Sequence, residues 1–386
     1  MNPADSSRAR PVLTAGDELV VKVGSSQLTS NEAGLNRARI QGFADSIAEL
    51  VRAGIRVVLV SSGAVAEGVF RLGLPGRPTR VHRLQAAAAV GQTGLVRAYE
   101  DAFAAHGIST ALVLLTHADL ASRERYLNAS STLTTLLDLG VVPIVNENDT
   151  VATEEIRFGD NDTLGALVAN LLRARLLLML TDQDGLHEAD PRVDPAAPLL
   201  VDVQVGALEL EQFCGTAGGE LGRGGMLTKI RAARQAARSG TFSIVANGGR
   251  PGIVQAAAAG TAVGTAFHPD ENPLAARKRW LSGHLRSAGT LTVDSGAERA
   301  LCGDGSSLLP VGVRAVAGSF QRGDLVSVCA TDGRELAKGL VNYSSEEAEV
   351  LMGKASTAIA ETLGYCNERE LVHRDNLVLL TPARPL

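Results

Sequence analysis

Residues 19–26 are Leu19-Val20-Val21-Lys22-Val23-Gly24-Ser25-Ser26, a short apolar run that contains one lysine and ends at a glycine. The apolar residues predict a strand over residues 19–23. A lysine inside such a strand must bring its charge to a partner at the strand end, because a buried unpaired charge is expensive. Gly24 has no side chain, so backbone N–H groups there can approach an anion. The alternative is a lysine that extends its ammonium group into water at the edge of a sheet.

Outward from this run, short apolar segments alternate with longer segments of helical period up to about residue 267. The predicted strands are residues 19–23, 56–60, 110–115, 141–145, 176–180 and 242–246. The predicted helices include residues 84–106, 122–139, 164–172 and 226–239, and an earlier one with apolar residues from Ile40 to Leu50 that stops at Gly54. This order predicts an α/β fold, a three-layer α/β/α sandwich with a mainly parallel central sheet. Ligands of such sheets bind at the carboxyl ends of the strands.

The pattern changes near residue 285, where short β segments begin at residues 290–293, 311–316, 325–329, 336–341 and 377–380. One helical stretch, residues 346–363, interrupts them. We therefore predict a first domain at residues 17–270, a linker at 271–287 and a small β-barrel-like domain at 288–375. The basic residues at 277–279, before Trp280, are most simply a solvated helix face.

Composition excludes several classes of protein. A chain of 386 residues with 45% apolar residues predicts two domains with real cores, and the net charge of −5 gives no general attraction for nucleic acid. The four cysteines are far apart, which predicts free thiols in a reducing compartment and no zinc site. No apolar run approaches the ~18 residues of a membrane span, and the first ~16 residues lack the apolar segment of a secretory signal. We expect a soluble, cytoplasmic protein whose first ~16 residues form a frayed extension.

Three more polar segments lie beside predicted strands. Ser61-Ser62-Gly63-Ala64 opens a helix, where N–H groups and the helix dipole favour an anion, although a serine N-cap is the simpler alternative. Asn146-Glu147-Asn148-Asp149 offers a hydrogen-bonding cluster for a small zwitterion, where a plain turn would need fewer polar residues. Gly159-Asp160-Asn161-Asp162-Thr163 precedes a helix. Asp162 either caps that helix or holds lysine ammonium groups near a phosphate, and the local sequence leaves both open.

Two segments in the later part of the first domain suggest a nucleotide. Thr181-Asp182 ends a predicted strand, and a loop with six glycines at residues 215–225 leads to Lys229 at the start of a helix. A flexible linker is the alternative for this loop. The chain contains neither a GxxxxGK[ST] nor a GxGxxG motif, so any phosphates must be bound by other means, of which dispersed lysines with glycine turns are one.

Together these segments resemble the glutamate 5-kinases of the amino acid kinase family along nearly the whole chain. The matching stretches are residues 21–26, 61–64, 146–149, 159–162, 180–182 and 224–226, with Thr228-Lys229 and the tail segment at residues 305–310. The lysine, Ser-Gly-Ala and Thr-Asp elements are shared with acetylglutamate, carbamate and aspartate kinases. The Asn-Glu-Asn-Asp and Gly-Asp-Asn-Asp segments are more particular to the glutamate 5-kinases. The tail is similar to a PUA domain.

The resemblance implies transfer of the γ-phosphoryl group of ATP to the side-chain carboxylate of L-glutamate, the first step of proline synthesis, with feedback inhibition by proline. It implies that Lys22 and Lys229 hold the phosphoryl group and that Asp162 orients both lysines. The implied ATP-binding residues are Lys22, Gly24, Thr181, Asp182, Arg223, Gly224, Gly225, Met226, Leu227, Thr228 and Lys229. The implied glutamate-binding residues are Ser62, Gly63, Asn146, Asp149 and Asn161. Mg²⁺ is expected to arrive with ATP, with no protein cage of its own, and a homo-oligomer is expected.

Two departures and two alternatives accompany this resemblance. Arg223 replaces an expected threonine and Leu227 an expected small residue, so the loop is a firmer prediction than a role for the Arg223 side chain.

An N-acetylglutamate or other carboxylate kinase is the first alternative, but Asp149 suits a free α-ammonium group. An RNA-binding factor is the second. Residues 289–386 hold nine Lys and Arg against thirteen Asp and Glu, so strong RNA binding is not expected.

Overall fold

The computed structural model describes residues 9–30, 34–152, 161–214, 225–269 and 287–380. The chain divides into two compact units, Met1–Leu120 with Ser130–Ala276 and Ala121–Ala129 with Arg277–Leu386. Nearly all of the predicted linker at residues 271–287 lies outside the described residues, as does Trp280. The domain boundaries therefore stay predictions.

The described residues before 270 contain ten strands: β1 (Glu18–Val23), β2 (Thr29–Ser30), β3 (Gly34–Leu35), β4 (Arg56–Ser61), β5 (Thr110–Leu115), β6 (Val142–Glu147), β7 (Leu176–Thr181), β8 (Asp202–Gln204), β9 (Phe242–Asn247) and β10 (Thr265–His268). The helices among them are α1 (Ser25–Leu28), α2 (Arg37–Arg52), α3 (Ala64–Arg71), α4 (Val81–Ala104), α5 (His117–Ala121), α6 (Arg123–Asp138), α7 (Asn161–Leu172), α8 (Met226–Ala237) and α9 (Ile253–Ala258). A 3₁₀ segment spans Leu208–Cys214.

Eight of these strands form one sheet in the order β5-β6-β4-β1-β7-β9-β10-β8. The pairs are parallel except β9 with β10, which is antiparallel. The strand β1 is buried along nearly its whole length, as expected for a parallel sheet with helices on both faces. The predicted α/β sandwich with a mainly parallel central sheet is confirmed. The short strands β8 and β10 were not predicted.

The central position of β1 determines where the site lies. The chain runs from β1 to β4 on one side and later crosses to β7 on the other side. The carboxyl end of β1 is therefore a topological switch point, where ligands of open parallel sheets bind. Lys22 lies at this end, and a Cβ atom added at Gly165 of α7 would lie 3.4 Å from its side chain.

Helices α3 and α4 pack with their backbones in contact. A Cβ atom added at Gly68 would lie 1.7 Å from the carbonyl oxygen of Ala87, and one at Gly91 would lie 1.8 Å from that of Ala64. Only glycine permits such an approach at either position. Since α3 starts directly after Ser62-Gly63, this contact fixes the position of that turn.

After residue 286, five strands form a separate sheet in the order β12-β11-β13-β14-β15. The elements are β11 (Gly289–Val293), α10 (Ser295–Asp304), β12 (Val313–Gly318), β13 (Leu325–Ala330), β14 (Glu335–Leu340), α11 (Ser345–Leu351), α12 (Ile359–Leu363) and β15 (Leu377–Leu379). Their core includes Leu291, Val328 and Tyr343. The predicted small C-terminal β domain is thereby confirmed.

The predicted single helix at residues 346–363 is wrong. Helix α11 ends at Leu351, Gly353 adopts a positive φ of 76°, and α12 begins only at Ile359. A left-handed residue cannot continue an α-helix, which explains the break. Helix α10 was not predicted at all.

The expectation of a frayed N-terminus is wrong for residues 9–16. Arg10 is only 9% exposed, and its guanidinium group donates hydrogen bonds to the carbonyl oxygens of Val201 and Val263, both at 2.7 Å. It also lies 3.3 Å from an Asp202 carboxylate oxygen. These long-range contacts are invisible in the local sequence. Residues 1–8 lie outside the described residues.

Two further expectations concern thiols and membranes. Cys302, Cys329 and Cys366 are free, as predicted, and the side chain of Cys214 is outside the described part of the chain. Among the helices that the structure describes, none has both the length and the apolar character needed to cross a bilayer.

Candidate active site

Asp162 joins the two lysines that the sequence analysis singled out. Its carboxylate lies 2.6 Å from Lys22 Nζ and 3.1 Å from Lys229 Nζ. Thr228 Oγ1 donates a third contact to the same carboxylate, at 2.7 Å. All three charged side chains are buried, at 0%, 4% and 3% exposure for Asp162, Lys22 and Lys229. Strand β1, helix α7 and helix α8 thus bring one residue each to a single point.

The charges of this cluster do not cancel. Burial alone would raise the pKa of Asp162, but the two lysine charges outweigh it and lower the pKa to about 2. The carboxylate is therefore ionised at neutral pH, and two ammonium groups face one carboxylate. The remaining positive charge suits an anionic ligand such as a polyphosphate.

Gly24 leaves room beside the Lys22 ammonium group. A Cβ atom at Gly24 would lie 3.7 Å from Lys22 Nζ, so any larger side chain would cover the charge. The N–H of Gly24 itself points to the carbonyl oxygen of Leu180 at 3.4 Å.

The Ser61-Ser62-Gly63-Ala64 segment forms a strand-to-helix turn, as predicted. Gly63 adopts a positive φ of 110°, and no side chain caps the helix that follows, which excludes the simple serine N-cap. Ser62 Oγ instead accepts a hydrogen bond from Asn161 Nδ2 at 3.1 Å. The turn therefore faces the residue next to Asp162.

Asn146 and Asn161 also lie together. Asn161 Nδ2 donates to Asn146 Oδ1 at 2.8 Å and to the carbonyl oxygen of Ser61 at 3.0 Å. From the sequence, Asn146 was expected in a loop after its strand and Asn161 before its helix. Both boundaries were wrong, since β6 runs to Glu147 and α7 begins at Asn161. Regular backbone therefore positions both amides.

Asp149 lies three residues after Asn146, half-buried in the turn that follows β6. Burial raises its pKa to about 7, the nearby Glu147 carboxylate adds to this effect, and Arg77 opposes it. Glu147 is itself buried, and within the described residues no group donates a hydrogen bond to its carboxylate oxygens. The imidazole of His117 lies beside it, with Nδ1 at 3.7 Å from Glu147 Oε2. This pair of carboxylates favours a ligand with a positive group.

The opposite side of Asp162 holds the residues expected to bind ATP. Thr181 ends β7, is buried, and donates to Asp182 Oδ1 at 3.1 Å. The sequence analysis missed the neighbouring group in which Asp184 accepts hydrogen bonds from Asn247 Nδ2 at 2.9 Å and Arg250 Nη2 at 2.6 Å. Asn247 is the last residue of β9, one residue beyond the strand predicted at 242–246. Its place at a strand end was the signal that could have identified it.

The start of α8 completes this side. Gly225 is the N-cap, and Met226, Leu227, Thr228 and Lys229 form the first turn. The N–H groups of a first turn have no partners within the helix, so they favour an anion. Arg223 and Gly224 lie outside the described residues, as do Gly159 and Asp160.

Possible metal ligands are sparse. The ranges that the structure describes contain no group of three or more His, Cys, Asp or Glu side chains placed to hold a metal ion. Asp162 already faces two lysines, so it is a poor ligand for a resident cation.

Comparison with known proteins now identifies the family. Residues 17–247 match the model of the amino acid kinase family, and residues 289–363 match that of the PUA domain. A protein of Methylococcus capsulatus named glutamate 5-kinase is 54% identical over 96% of this chain and all of its own length. Proteins of the same name from Halorhodospira halophila and Nitrosococcus oceani are 55% and 56% identical, each over 96% of this chain and 99% of their own length.

The family match covers seven of the eight strands of the sheet, both lysines and Asp162, and the relatives match along almost the entire chain. The chain therefore belongs to the amino acid kinase family, in the group of its members named glutamate 5-kinase, and carries a PUA domain after the kinase domain.

Proposed function

We propose that this protein is a glutamate 5-kinase, which transfers the γ-phosphoryl group of ATP to the side-chain carboxylate of L-glutamate in proline biosynthesis. Identity above 50% to full-length relatives of that name supports the reaction. The observation that carries the assignment of residues is the contact of one buried carboxylate, Asp162, with two buried lysines.

The chemistry fits this cluster. The attacking carboxylate of glutamate is already an anion, so no general base is needed. The transferred phosphoryl group spreads its charge over several oxygens, and catalysis depends on in-line positioning and on neutralising that charge. Lys22 and Lys229 supply two positive charges on opposite sides of Asp162, which holds both in place.

The two sides of Asp162 would take the two substrates. Glutamate would lie toward Ser62, Gly63, Asn146 and Asn161, with its α-ammonium group near Asp149. ATP would lie toward Gly24, Thr181, Asp182 and the segment from Arg223 to Lys229. Asn161 and Asp162 are consecutive residues, so the acceptor carboxylate and the phosphoryl group would meet between them.

Mg²⁺ is part of the proposal as a companion of ATP. The cation would bind the phosphate oxygens and keep several waters, the usual arrangement when a protein offers one or two carboxylates at most. Proline, as an inhibitor, would compete for the glutamate subsite. We further propose a cytoplasmic homo-oligomer.

The substrate is tested by trapping the acyl phosphate with hydroxylamine, with glutamate and N-acetylglutamate compared side by side. We expect hydroxamate from glutamate only, and less of it when proline is added. Preference for the acetylated compound would refute the assignment, because an acylated nitrogen has no positive charge for Asp149.

The residues are tested with Lys229→Ala. Removing one of two charges that neutralise the phosphoryl group is expected to lower kcat at least about a hundredfold, while circular dichroism shows an intact fold. A variant truncated near residue 285 is the comparison, since it is expected to keep turnover. The opposite pattern would favour an RNA-directed function of the PUA domain.

A further inference from the structure

Gln92 of α4 was not among the predicted site residues, yet it ends a row of three side-chain amides. Gln92 Oε1 accepts a hydrogen bond from Asn146 Nδ2 at 2.7 Å. Asn146 Oδ1 in turn accepts one from Asn161 Nδ2 at 2.8 Å. This amide row, Gln92–Asn146–Asn161, links helix α4 to the first turn of α7, directly beside Asp162.

Backbone groups fix the direction of the amide row at two points. Asn146 Oδ1 also accepts the backbone N–H of Glu147 at 2.9 Å, and Asn161 Nδ2 also donates to the carbonyl oxygen of Ser61 at 3.0 Å. If either amide turned over, two donors or two acceptors would face each other. A backbone N–H cannot accept and a carbonyl oxygen cannot donate. Asn146 must therefore direct its Nδ2 toward α4.

The Asn146 Nδ2 group needs an acceptor there. Asn146 is only 2% exposed, and a buried donor without a partner costs about 1–3 kcal/mol. Within the described part of the chain, Gln92 Oε1 is the acceptor recorded for it. Gln92 thus supplies the acceptor at the α4 end of the amide row, the end that the two backbone contacts do not fix.

We propose that Gln92 is a positioning residue for the amino-acid substrate and acts through Asn146 on Asn161. This inference rests on the proposed function, because the effect is on the binding of glutamate. Without an acceptor at position 92, Asn146 rotates to satisfy its Nδ2 group and releases Asn161. The Asn161 amide then keeps only Ser61 and Ser62 as partners and loses its fixed position.

The surroundings of Gln92 connect it with the amino-acid side of the site. It lines an open cavity of about 870 Å³ together with Glu147 and Asp149. At the other end of the amide row, Asn161 Nδ2 donates to Ser62 Oγ at 3.1 Å, on the same proposed amino-acid side. The effect of Gln92 should therefore appear in the KM for glutamate and leave that for ATP unchanged.

The first experiment compares Gln92→Met with wild-type enzyme. Methionine has a similar length and no oxygen acceptor, so we expect the KM for glutamate to rise about tenfold and the KM for ATP to stay within about twofold. Gln41→Met is the matched control, because Gln41 is a glutamine of α2 that bonds the carbonyl oxygen of Ala102 in α4, away from the amide row. An equal rise in both KM values, or none, would overturn the proposal.

A double-mutant cycle tests whether Gln92 acts through Asn146. If it does, Gln92→Met in combination with Asn146→Ala should give the KM for glutamate of Asn146→Ala alone. Additive effects would indicate that Gln92 acts independently, and would overturn the proposed route.

Gln92→Glu keeps the test decisive if Gln92→Met folds poorly. A glutamate at this position retains an acceptor oxygen for Asn146 Nδ2, so its KM for glutamate should stay within about threefold of wild type. A KM as high as that of Asn146→Ala overturns the proposal. Wild-type turnover of glutamate is measured first: its absence overturns the proposed function and this inference together, whereas normal turnover with an unchanged KM in Gln92→Met overturns the inference alone.

Discussion

The carboxyl group of Asp149 has a pKa near neutral pH. Its pKa is raised to about 7, so in the ligand-free protein it holds a proton below pH 7 that it would not hold when unfolded. A raised carboxyl pKa lowers the stability of the fold as pH increases from the ordinary value of 3.8 to about 7. An ammonium group bound beside Asp149 would stabilise the ionised carboxylate and so lower its pKa.

We therefore predict that glutamate binds more tightly as pH rises through 7. The dissociation constant should fall about tenfold between pH 6 and pH 8, because the ionised fraction of a carboxyl group with a pKa of about 7 rises from about one tenth to about nine tenths over that range. Thermal shifts with glutamate across this range measure the change. Asp149→Asn should bind weakly and without the pH dependence; an identical pH profile in this variant would exclude Asp149 as the titrating group.

At the scale of residues, the sequence singled out those at or beside strand ends and missed one in the middle of a helix. Lys22, Ser62 and Asn146 stand at strand ends, where the site of a parallel sheet must lie. Gln92 lies in the middle of a helix, 54 residues from its partner Asn146. Nothing in its own neighbourhood distinguishes it from a surface glutamine, so only the tertiary structure reveals its contact.

At the scale of elements, the α3–α4 contact depends on the absence of two Cβ atoms. The Gly91→Ala substitution places a methyl group where the carbonyl oxygen of Ala64 lies, so the helices must separate. We expect a loss of at least about 1–3 kcal/mol in the free energy of unfolding, measured in urea, and a higher KM for glutamate because the Ser62-Gly63 turn moves.

Gly42→Ala in α2 is the control for this substitution. Gly42 also lies inside a helix, but a Cβ atom there would meet nothing within 4 Å. Alanine is the better helix former, so we expect a gain of about 0.5–1 kcal/mol. If both substitutions changed stability by the same amount, helix propensity rather than close packing would explain the result.

The boundaries of elements were less predictable than their existence. Strand β5 matches the predicted residues 110–115 in full, and α2 stops before Gly54 as expected. Strand β6 runs two residues beyond its prediction, because Asn146 and Glu147 continue the backbone pairing with Leu114 and Leu115 of β5. Polar residues at a strand end resemble a turn in the sequence when their partners are distant.

At the scale of the whole molecule, the C-terminal PUA domain has the wrong charge for tight RNA binding. Residues 289–386 carry a net charge of −4, from nine basic and thirteen acidic residues. Affinity for a phosphate backbone rests largely on clustered Lys and Arg. We predict no submicromolar complex with a structured RNA in a gel shift at physiological salt. A tight complex that weakens steeply as salt is raised would contradict this.

The overall architecture followed from the order of strands and helices, but the strand order did not. Alternating elements predict a parallel sheet, and the structure confirms one of eight strands with a single antiparallel pair in it. The placement of β1 between β4 and β7 depends on crossings that no local pattern records. That placement is what brings Lys22, Asp162 and Lys229 together.

The same placement affects how the chain can fold as it leaves the ribosome. Strand β1 is made first, yet one of its two neighbours, β7, begins at Leu176. Until about 160 further residues have been synthesised, β1 has an open edge, and exposed apolar edges are sites of aggregation. Synthesis at about 5–20 residues per second makes this a wait of roughly ten to thirty seconds. We therefore expect the nascent chain to be prone to aggregation through this edge until β7 has emerged.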